Sequence, residues 1–274
     1  METTCPLCSS LSSFEAGFSD VQLYRCSQCD HCYTDQSKLK HFEEYSAAYY
    51  ELHHKNWNLY PDFHLFEAIY NETKPYGPNA RILDVGCGKG AFLKYLRSRE
   101  PGYELTGLDM SSSPPSAGIT FVQGDFLSSQ LNKDFDVVVS LAVIEHVTDV
   151  SVFVDGLYRL SRPGGLVVVM TLDDRSVIYS VSRTLFRWGI KAPFERLYSR
   201  HHLHHFNVSS LNRLMKQHQL LVNITIHHNN RLAAVDFSES SFLKRIVFLI
   251  GVLVSFLIGK LFNKTLLQTV VCKK

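Results

Sequence analysis

The chain has 274 residues, 45% hydrophobic and 20% charged, an ordinary globular composition with length for one large domain plus an appendage. A net charge of +2 is too near neutral to be the global signature of a nucleic-acid binder, although a local basic patch stays open. "METTCPLCSS" carries no basic segment followed by an apolar run, so no secretory signal is read there and the reducing cytosol is the expected compartment.

Five of the seven cysteines lie in the first 32 residues. Cys5 and Cys8 form one C-x-x-C pair and Cys26 and Cys29 a second, with 17 residues between the pairs. Two such knuckles on facing turns supply the four soft ligands that Zn²⁺ takes in a tetrahedron. A segment this short buries too little apolar surface to fold alone, so the metal would supply the folding free energy. The expectation is a structural zinc ribbon over residues 1–38, closed to catalysis because all four positions are filled. Cys32 or His31 could replace Cys29 in the ligand set.

The next chemistry-bearing stretch is "ARILDVGCGKGAFLKYLRSR" (80–99). It reads as a buried strand, a glycine turn and a helix whose N-terminus points at a ligand. Gly86, Gly88 and Ala91 also satisfy the dinucleotide pattern G-x-G-x-x-A, so the loop alone leaves nicotinamide binding open. The following segments decide. "YELTGLDMS" (103–111) is a second strand ending in Asp109, "ITFVQGDFL" (119–127) a third ending in Asp125 and Phe126, and "DFDVVVSLAVIEHV" (134–147) a fourth. A helix over 150–163 leads to a fifth strand, "GGLVVVMT" (164–171). Strands alternating with helices predict an open, mostly parallel sheet with ligands at the carboxyl ends of its strands.

These five collinear blocks, over about 90 residues, resemble the ordered motifs of class I S-adenosylmethionine-dependent methyltransferases. The resemblance implies a Rossmann-like α/β fold: a seven-stranded sheet, its last strand antiparallel, with helices on both faces. It also implies cofactor-binding residues. Asp84, Gly86, Cys87, Gly88 and Gly90 would hold the methionine part, Asp109 with Met110 the ribose, and Asp125 with Phe126 the adenine. Leu141 and Ala142 would border the cofactor. One departure stands out: "MSSSPPSAG" (110–118) is short and contains two prolines, which cannot sit inside a helix, so the helix usual there is missing or reduced to a loop.

The flanks extend the reading. Residues 41–76 suit one or two helices rich in Tyr and His, which in this family cap the cofactor. "RHHLHHFNVSSLNRLMKQHQLLVNITI" (200–226) resembles the signature of the branch containing ubiquinone-biosynthesis methyltransferases. Ser209 fits a helix N-cap and "LLVNITI" a sixth strand. The four histidines of that segment, His201, His202, His204 and His205, invite a metal reading. They precede a helix cap rather than share a helical face, and methyl transfer needs no metal. Residues 173–205 form an insertion over the active-site face, a lid in which Arg175, Arg183, Arg187, Lys191, Arg196 and Arg200 alternate with apolar residues. Basic plus aromatic content suits a membrane surface or an anionic substrate. The tail "LLQTVVCKK" (266–274) reads as the seventh strand, returning between the fifth and sixth.

Between those last strands lies "IVFLIGVLVSFLIG" (246–259). As a helix it is roughly 21 Å long, short of the roughly 30 Å hydrocarbon core. If the strands before and after it share one sheet, a single crossing is excluded. The expectation for 240–263 is a membrane-associating helix or a hairpin hinged near Gly251, with the protein peripheral on the inner face of a membrane. Burial against a partner subunit is the other reading, and oligomers stay open.

Residues 39–274 are thus expected to form a methyltransferase domain acting on a small-molecule or lipid-linked acceptor, with an oxygen nucleophile favoured. A hydroxyl acceptor must lose its proton, and histidine is the side chain tuned for that near neutrality. His146, beside Glu145 at the end of the fourth strand, is the candidate base or positioning residue. Two alternatives are an rRNA base methyltransferase, since some bacterial rRNA guanine methyltransferases also pair a zinc ribbon with this fold, and a non-catalytic protein with a relict cofactor site.

Overall fold

The computed structural model describes residues 2–40, 60–111, 118–129, 131, 134–232 and 242–274. Of the stretch 41–76 expected to hold one or two helices, residues 41–59 lie outside the described residues, as does the proline-bearing link at 112–117.

The N-terminal segment forms antiparallel strands β1 (Glu2–Thr4), β2 (Leu11–Phe18), β3 (Val21–Cys26) and β4 (Cys32–Thr34). After helix α1 (Phe63–Thr73), the chain alternates: β5 (Arg81–Val85), α2 (Ala91–Arg99), β6 (Glu104–Asp109), β7 (Thr120–Gln123), β8 (Phe135–Leu141), α3 (Val150–Leu160) and β9 (Ser161–Leu172). Helices α4 (Val177–Arg187) and α5 (Ala192–Leu197) follow, then β10 (His204–His205), α6 (Val208–Gln217), β11 (Leu221–His228), α7 (Phe242–Leu261) and β12 (Leu267–Lys273).

The large sheet has seven strands in the order β11-β12-β9-β8-β5-β6-β7. Pairing is parallel from β9 through β7, and β12 runs antiparallel to both β9 and β11. The seventh strand therefore inserts between the fifth and sixth, as the resemblance to class I methyltransferases implied. The inner strands are near-continuous Val, Ile and Leu because helices cover both faces. Side chains alternate between the faces. Ile82, Val137, Val139 and Val168 pack with Phe92 and Leu96 of α2, Ile69 of α1 and Val252 and Phe256 of α7. Leu83, Val138, Val167 and Val169 pack with Val154 and Leu157 of α3 and Leu211 and Leu214 of α6. Helix α3 shows why it docks so: Val150, Phe153, Val154 and Leu157 recur at helical spacing on its buried side, and Asp149 caps its first turn by accepting from the Ser151 and Val152 amides, both at 3.0 Å.

Two features differ from the sequence reading, the cap of α6 and the extent of the N-terminal sheet. Asn207, not Ser209, caps α6, in a reciprocal capping box with Ser210. Of the two forms expected for 240–263, the segment 242–261 takes the helix, running through Gly251, and not the hairpin. Among the described residues no helix is long and apolar enough to cross a membrane. The N-terminal sheet is not self-contained: β10 completes it as a fifth strand, pairing His204 with Tyr33 and His205 with Cys32.

Candidate active site and metal centre

The carboxyl ends of β5, β8 and β9 converge on one cleft, with the end of β6 tied to the glycine loop beside it. Val85 leads into Gly86, Gly88 and Gly90, all with positive φ, a backbone course that side chains oppose. Gly86 is constrained twice, because a Cβ there would lie 2.3 Å from Val143 Cγ2. The loop is tied to the neighbouring strand: the Gly86 amide donates to Leu108 O at 2.8 Å, and the Gly88 amide donates to Asp109 Oδ2 at 2.7 Å. The other Asp109 oxygen accepts from the Ser111 amide at 2.8 Å. Asp84 is buried, and that burial, with the Asp109 charge nearby, pushes its carboxyl up to about 8. Leu141 lines the cleft, and Ala142 takes a left-handed backbone (φ 57°) with its amide on Met170 O at 3.0 Å.

The sequence candidates do not all face this cleft. Cys87 does line the cleft, and its sulfur lies against Gly107 of the next strand, where a Cβ would be 2.7 Å from Cys87 Sγ. Phe126 is a core residue, its ring 5.2 Å from that of Phe153 and close against Gly156. Asp125 is exposed and caps its own turn, accepting from the Leu127 and Ser128 amides, both at 3.2 Å. Met110 is exposed at the end of β6. The cleft walls also include Tyr60, Asp62, Leu65, Met170 and Asn230. Tyr60, Asp62, Leu65 and Asn230 carry no motif and reach the cleft because α1 and the end of β11 fold over the glycine loop, whereas Met170 comes from β9, the strand beside β8.

Glu145 and His146 lie in a single turn of 3₁₀ helix after β8. Glu145 is buried, accepts from Thr171 Oγ1 at 2.8 Å, and burial raises its carboxyl above the ordinary range. The half-buried His146 has Nδ1 2.7 Å from the His201 carbonyl oxygen. A carbonyl only accepts, so Nδ1 carries the proton and Nε2 is the nitrogen that would take another.

The lid residues 173–205 are bound to the N-terminal sheet by ion pairs. Asp174 is fully buried and accepts from Arg25 Nη2 at 2.8 Å, Arg183 Nη1 at 3.1 Å and the Tyr198 hydroxyl. Arg175 pairs with Asp30, and Arg200 with Asp20 at 3.0 Å. Three of the six basic residues that suggested an anionic ligand are thus used in these internal pairs.

Cys5, Cys8, Cys26 and Cys29 converge with all four sulfurs within 4.8 Å of one another. Individual separations are 3.6 Å for Cys5–Cys29, 3.4 Å for Cys8–Cys26 and 3.5 Å for Cys8–Cys29. Ligand bonds of about 2.3 Å in a tetrahedron require sulfur–sulfur edges of about 3.8 Å, so the cluster has the size of a metal cage. Amides of Leu7, Gln28 and Cys29 point at its sulfurs, each at 3.4 Å. Cys32 is buried in the core cluster and His31 turns to His204, Nε2 to Nδ1 at 3.1 Å, so neither stands in the cage. His201, His202, His204 and His205 form no metal-sized cluster among the described residues.

Comparison with known proteins bears on the whole arrangement. A family model described as a methyltransferase domain matches residues 55–223. The ubiquinone biosynthesis O-methyltransferase of Pseudomonas entomophila is 31% identical over 111 residues, covering 36% of this chain and 47% of that protein. The enzyme of the same name from Rickettsia canadensis is 27% identical over 170 residues, covering 53% and 66%. The chain thus spans about half to two thirds of the length of the curated relatives it matches. Among solved structures, phosphoethanolamine N-methyltransferase 2 of Haemonchus contortus, in complex with S-adenosyl-L-methionine, superposes with a TM-score of 0.58 at 15% identity, covering 89% of this chain and 62% of that one. A geranyl diphosphate methyltransferase superposes at 0.53 and 13%, covering 76% of each chain. At such identities the likeness is one of fold. The family match spans more than half of the sequence, and the sheet order agrees with it: the chain belongs to the methyltransferase-domain family and has the fold of the S-adenosylmethionine-dependent methyltransferases.

Proposed function

We propose that the protein transfers a methyl group from S-adenosylmethionine to a small-molecule or lipid-linked acceptor, with an oxygen nucleophile favoured. The observation that carries this reading is the set formed by the glycine loop, Asp84 and Asp109 at adjoining strand ends. Bound, the cofactor supplies an activated methyl on a sulfonium centre. The chain's part is to hold it, align the acceptor in line and exclude water. The glycine loop, which lets the cofactor approach the backbone, and Asp84 would hold the methionine end, and Asp109 would accept from ribose hydroxyls. His146, protonated at Nδ1, would take the acceptor's proton at Nε2. Asp125 would contribute at the adenine end from its exposed turn, and Phe126 only through the backbone. The four cysteines would hold a structural Zn²⁺, with residues 1–38 as the ribbon and 39–274 as the methyltransferase domain.

Asp84 makes the proposal measurable. Without a cation beside it, its carboxyl stays largely protonated at neutral pH, and its contribution to stability declines as pH rises from the ordinary carboxylate range through about 8. The cofactor's ammonium or sulfonium would lower that value. Binding near pH 7 should therefore release up to about one proton, and affinity should rise with pH, by up to about tenfold per unit, until about 8. Calorimetry in buffers of different ionisation enthalpy measures the release. Proton-neutral binding that persists unchanged in Asp84→Asn would remove Asp84 from the cofactor site.

The exposed side of α7 supports a membrane surface as partner. Val252 and Phe256 are buried in the core, while Ile250, Leu257, Leu261 and the following Phe262 are each more than half exposed. Helix α4 packs beside α7 and leads to exposed Trp188 and Ile190. Exposed Arg187, Lys191, Lys260 and Lys264 accompany these apolar groups, the composition of a helix lying in an anionic interface. Both ends of α7 return to adjacent strands of one sheet, so a single crossing is incompatible with the fold. Leu257→Asp with Leu261→Asp should leave the melting temperature within a few degrees, since both sites are exposed, and should abolish cosedimentation with phosphatidylglycerol vesicles. Undiminished cosedimentation would refute this partner.

A further inference from the structure

We infer that the N-terminal ribbon sets the ring of His146 from across the molecule, and that Thr34 is the positioning residue that does so. The inference rests on the reading of His146 as the proton-accepting group.

The linkage can be followed bond by bond. His146 donates from Nδ1 to the His201 carbonyl at 2.7 Å. The segment carrying that carbonyl is held on both sides. Towards the turn that carries His146, the Leu203 amide donates to Glu145 O at 2.7 Å, one residue from His146. Towards the ribbon, Thr34 makes three contacts: its hydroxyl donates to His202 O at 3.0 Å and lies 3.4 Å from His205 Nε2, and its amide donates to Leu203 O at 2.9 Å. The β4–β10 pairing continues this register through His204 and His205. Strand β4 begins three residues after Cys29, so the cysteine cage fixes where Thr34 stands.

Burial gives these bonds their weight. Thr34 is 2% exposed, so water cannot replace its hydroxyl readily, and losing it leaves the His202 carbonyl short of a donor. The rings of His202 and His146 are 5.0 Å apart, so a shift of one backbone is passed to the other by contact. Glu145, the acid beside this pair, is anchored separately by Thr171. The orientation and tautomer of His146 are thereby set by a strand of the ribbon rather than by the loop that carries it.

The test uses the zinc-loaded full-length protein with ¹⁵N-labelled histidine. Long-range ¹H–¹⁵N spectra are recorded at a pH where imidazole is neutral, and the His146 signals are assigned by their disappearance in His146→Ala. The wild type should show the Nδ1–H tautomer. Thr34→Val, which keeps the shape and removes the hydroxyl, should shift His146 toward the Nε2–H form by several-fold. Thr34→Ser should restore the wild-type spectrum. Zinc removal by chelation provides an arm without mutation and should produce the same shift. A His146 spectrum indifferent to both Thr34→Val and metal removal would overturn the inference. Calorimetric titration with S-adenosylmethionine is run in parallel. Retained affinity with a shifted tautomer supports the linkage, whereas no cofactor binding by the wild type refutes the methyltransferase reading instead.

Discussion

Replacing Asp174 with alanine should cost about 3–5 kcal/mol of unfolding free energy, measured by urea denaturation with the midpoint and slope fitted separately. The size follows from what would be left behind. Asp174 sits between two guanidinium groups, Arg25 of β3 and Arg183 of α4, and both are largely buried. Burial alone would disfavour the charged form of Arg25, yet its pKa stands far above the ordinary value because Cys32, Asp174 and Glu15 lie around it. Removing one carboxylate strands two cations in a site that water reaches poorly. Asp174→Asn keeps the shape but not the charge and should recover only part of the loss. A cost below about 1 kcal/mol, the range of exposed pairs, would show that the N-terminal sheet and the lid are not joined through this residue. The linkage is specific in kind: the partner of Arg183 within the lid is also the partner of an arginine from the ribbon.

Metal removal, or Cys29→Ser, should have the second large effect and a different signature. In small zinc domains, metal binding contributes on the order of 10–16 kcal/mol and is inseparable from folding. Strands β1 to β4 have short spans and a small buried set, so without the ion this sheet should open as a unit while the seven-stranded sheet persists. Hydrogen exchange should therefore show amides of β2 and β3 losing protection by several orders of magnitude while β8 and β9 keep theirs. Exchange unchanged in β2 and β3 would mean that the core contacts of Leu23 and Tyr24 hold the ribbon without metal. The two experiments separate the links: Asp174→Ala loosens the ribbon from the lid with the cage intact, and metal removal opens the cage first.

What could be read from residues alone was whatever repeats locally. Valine-rich runs with a period of two or none announce strands, and "VSVFVDGLYRL" places its apolar residues every three or four positions, which fixes α3. The glycine loop was legible because only glycine takes the backbone course at 86, 88 and 90. The cage was legible because knuckle spacing is a property of two short turns. Side-chain direction was not. "GDF" announces a strand end, but whether Phe126 faces cofactor or core depends on α3 packing behind it with Gly156 at the point of contact. Cys87 lies between two loop glycines at the cleft wall, and its sulfur fits there because Gly107 on the next strand leaves room for it.

The basic lid shows the same division at larger scale. As a sequence it is a run of arginines among apolar residues, which suits a lipid surface or an anion. In three dimensions Arg175, Arg183 and Arg200 turn to Asp30, Asp174 and Asp20, acids that the chain supplies at close and distant positions alike. Local pattern by itself determined the strands, the glycine loop, the cysteine cage and the excursion between the last two strands, because each is set by neighbours a few residues apart. Only the tertiary structure decided that His204 and His205 complete the ribbon's sheet, that Tyr60, Met170 and Asn230 wall the cleft, and that His146 is held by the carbonyl of His201. Those contacts join residues from about 30 to more than 170 positions apart, and no local spacing encodes which partner burial will select.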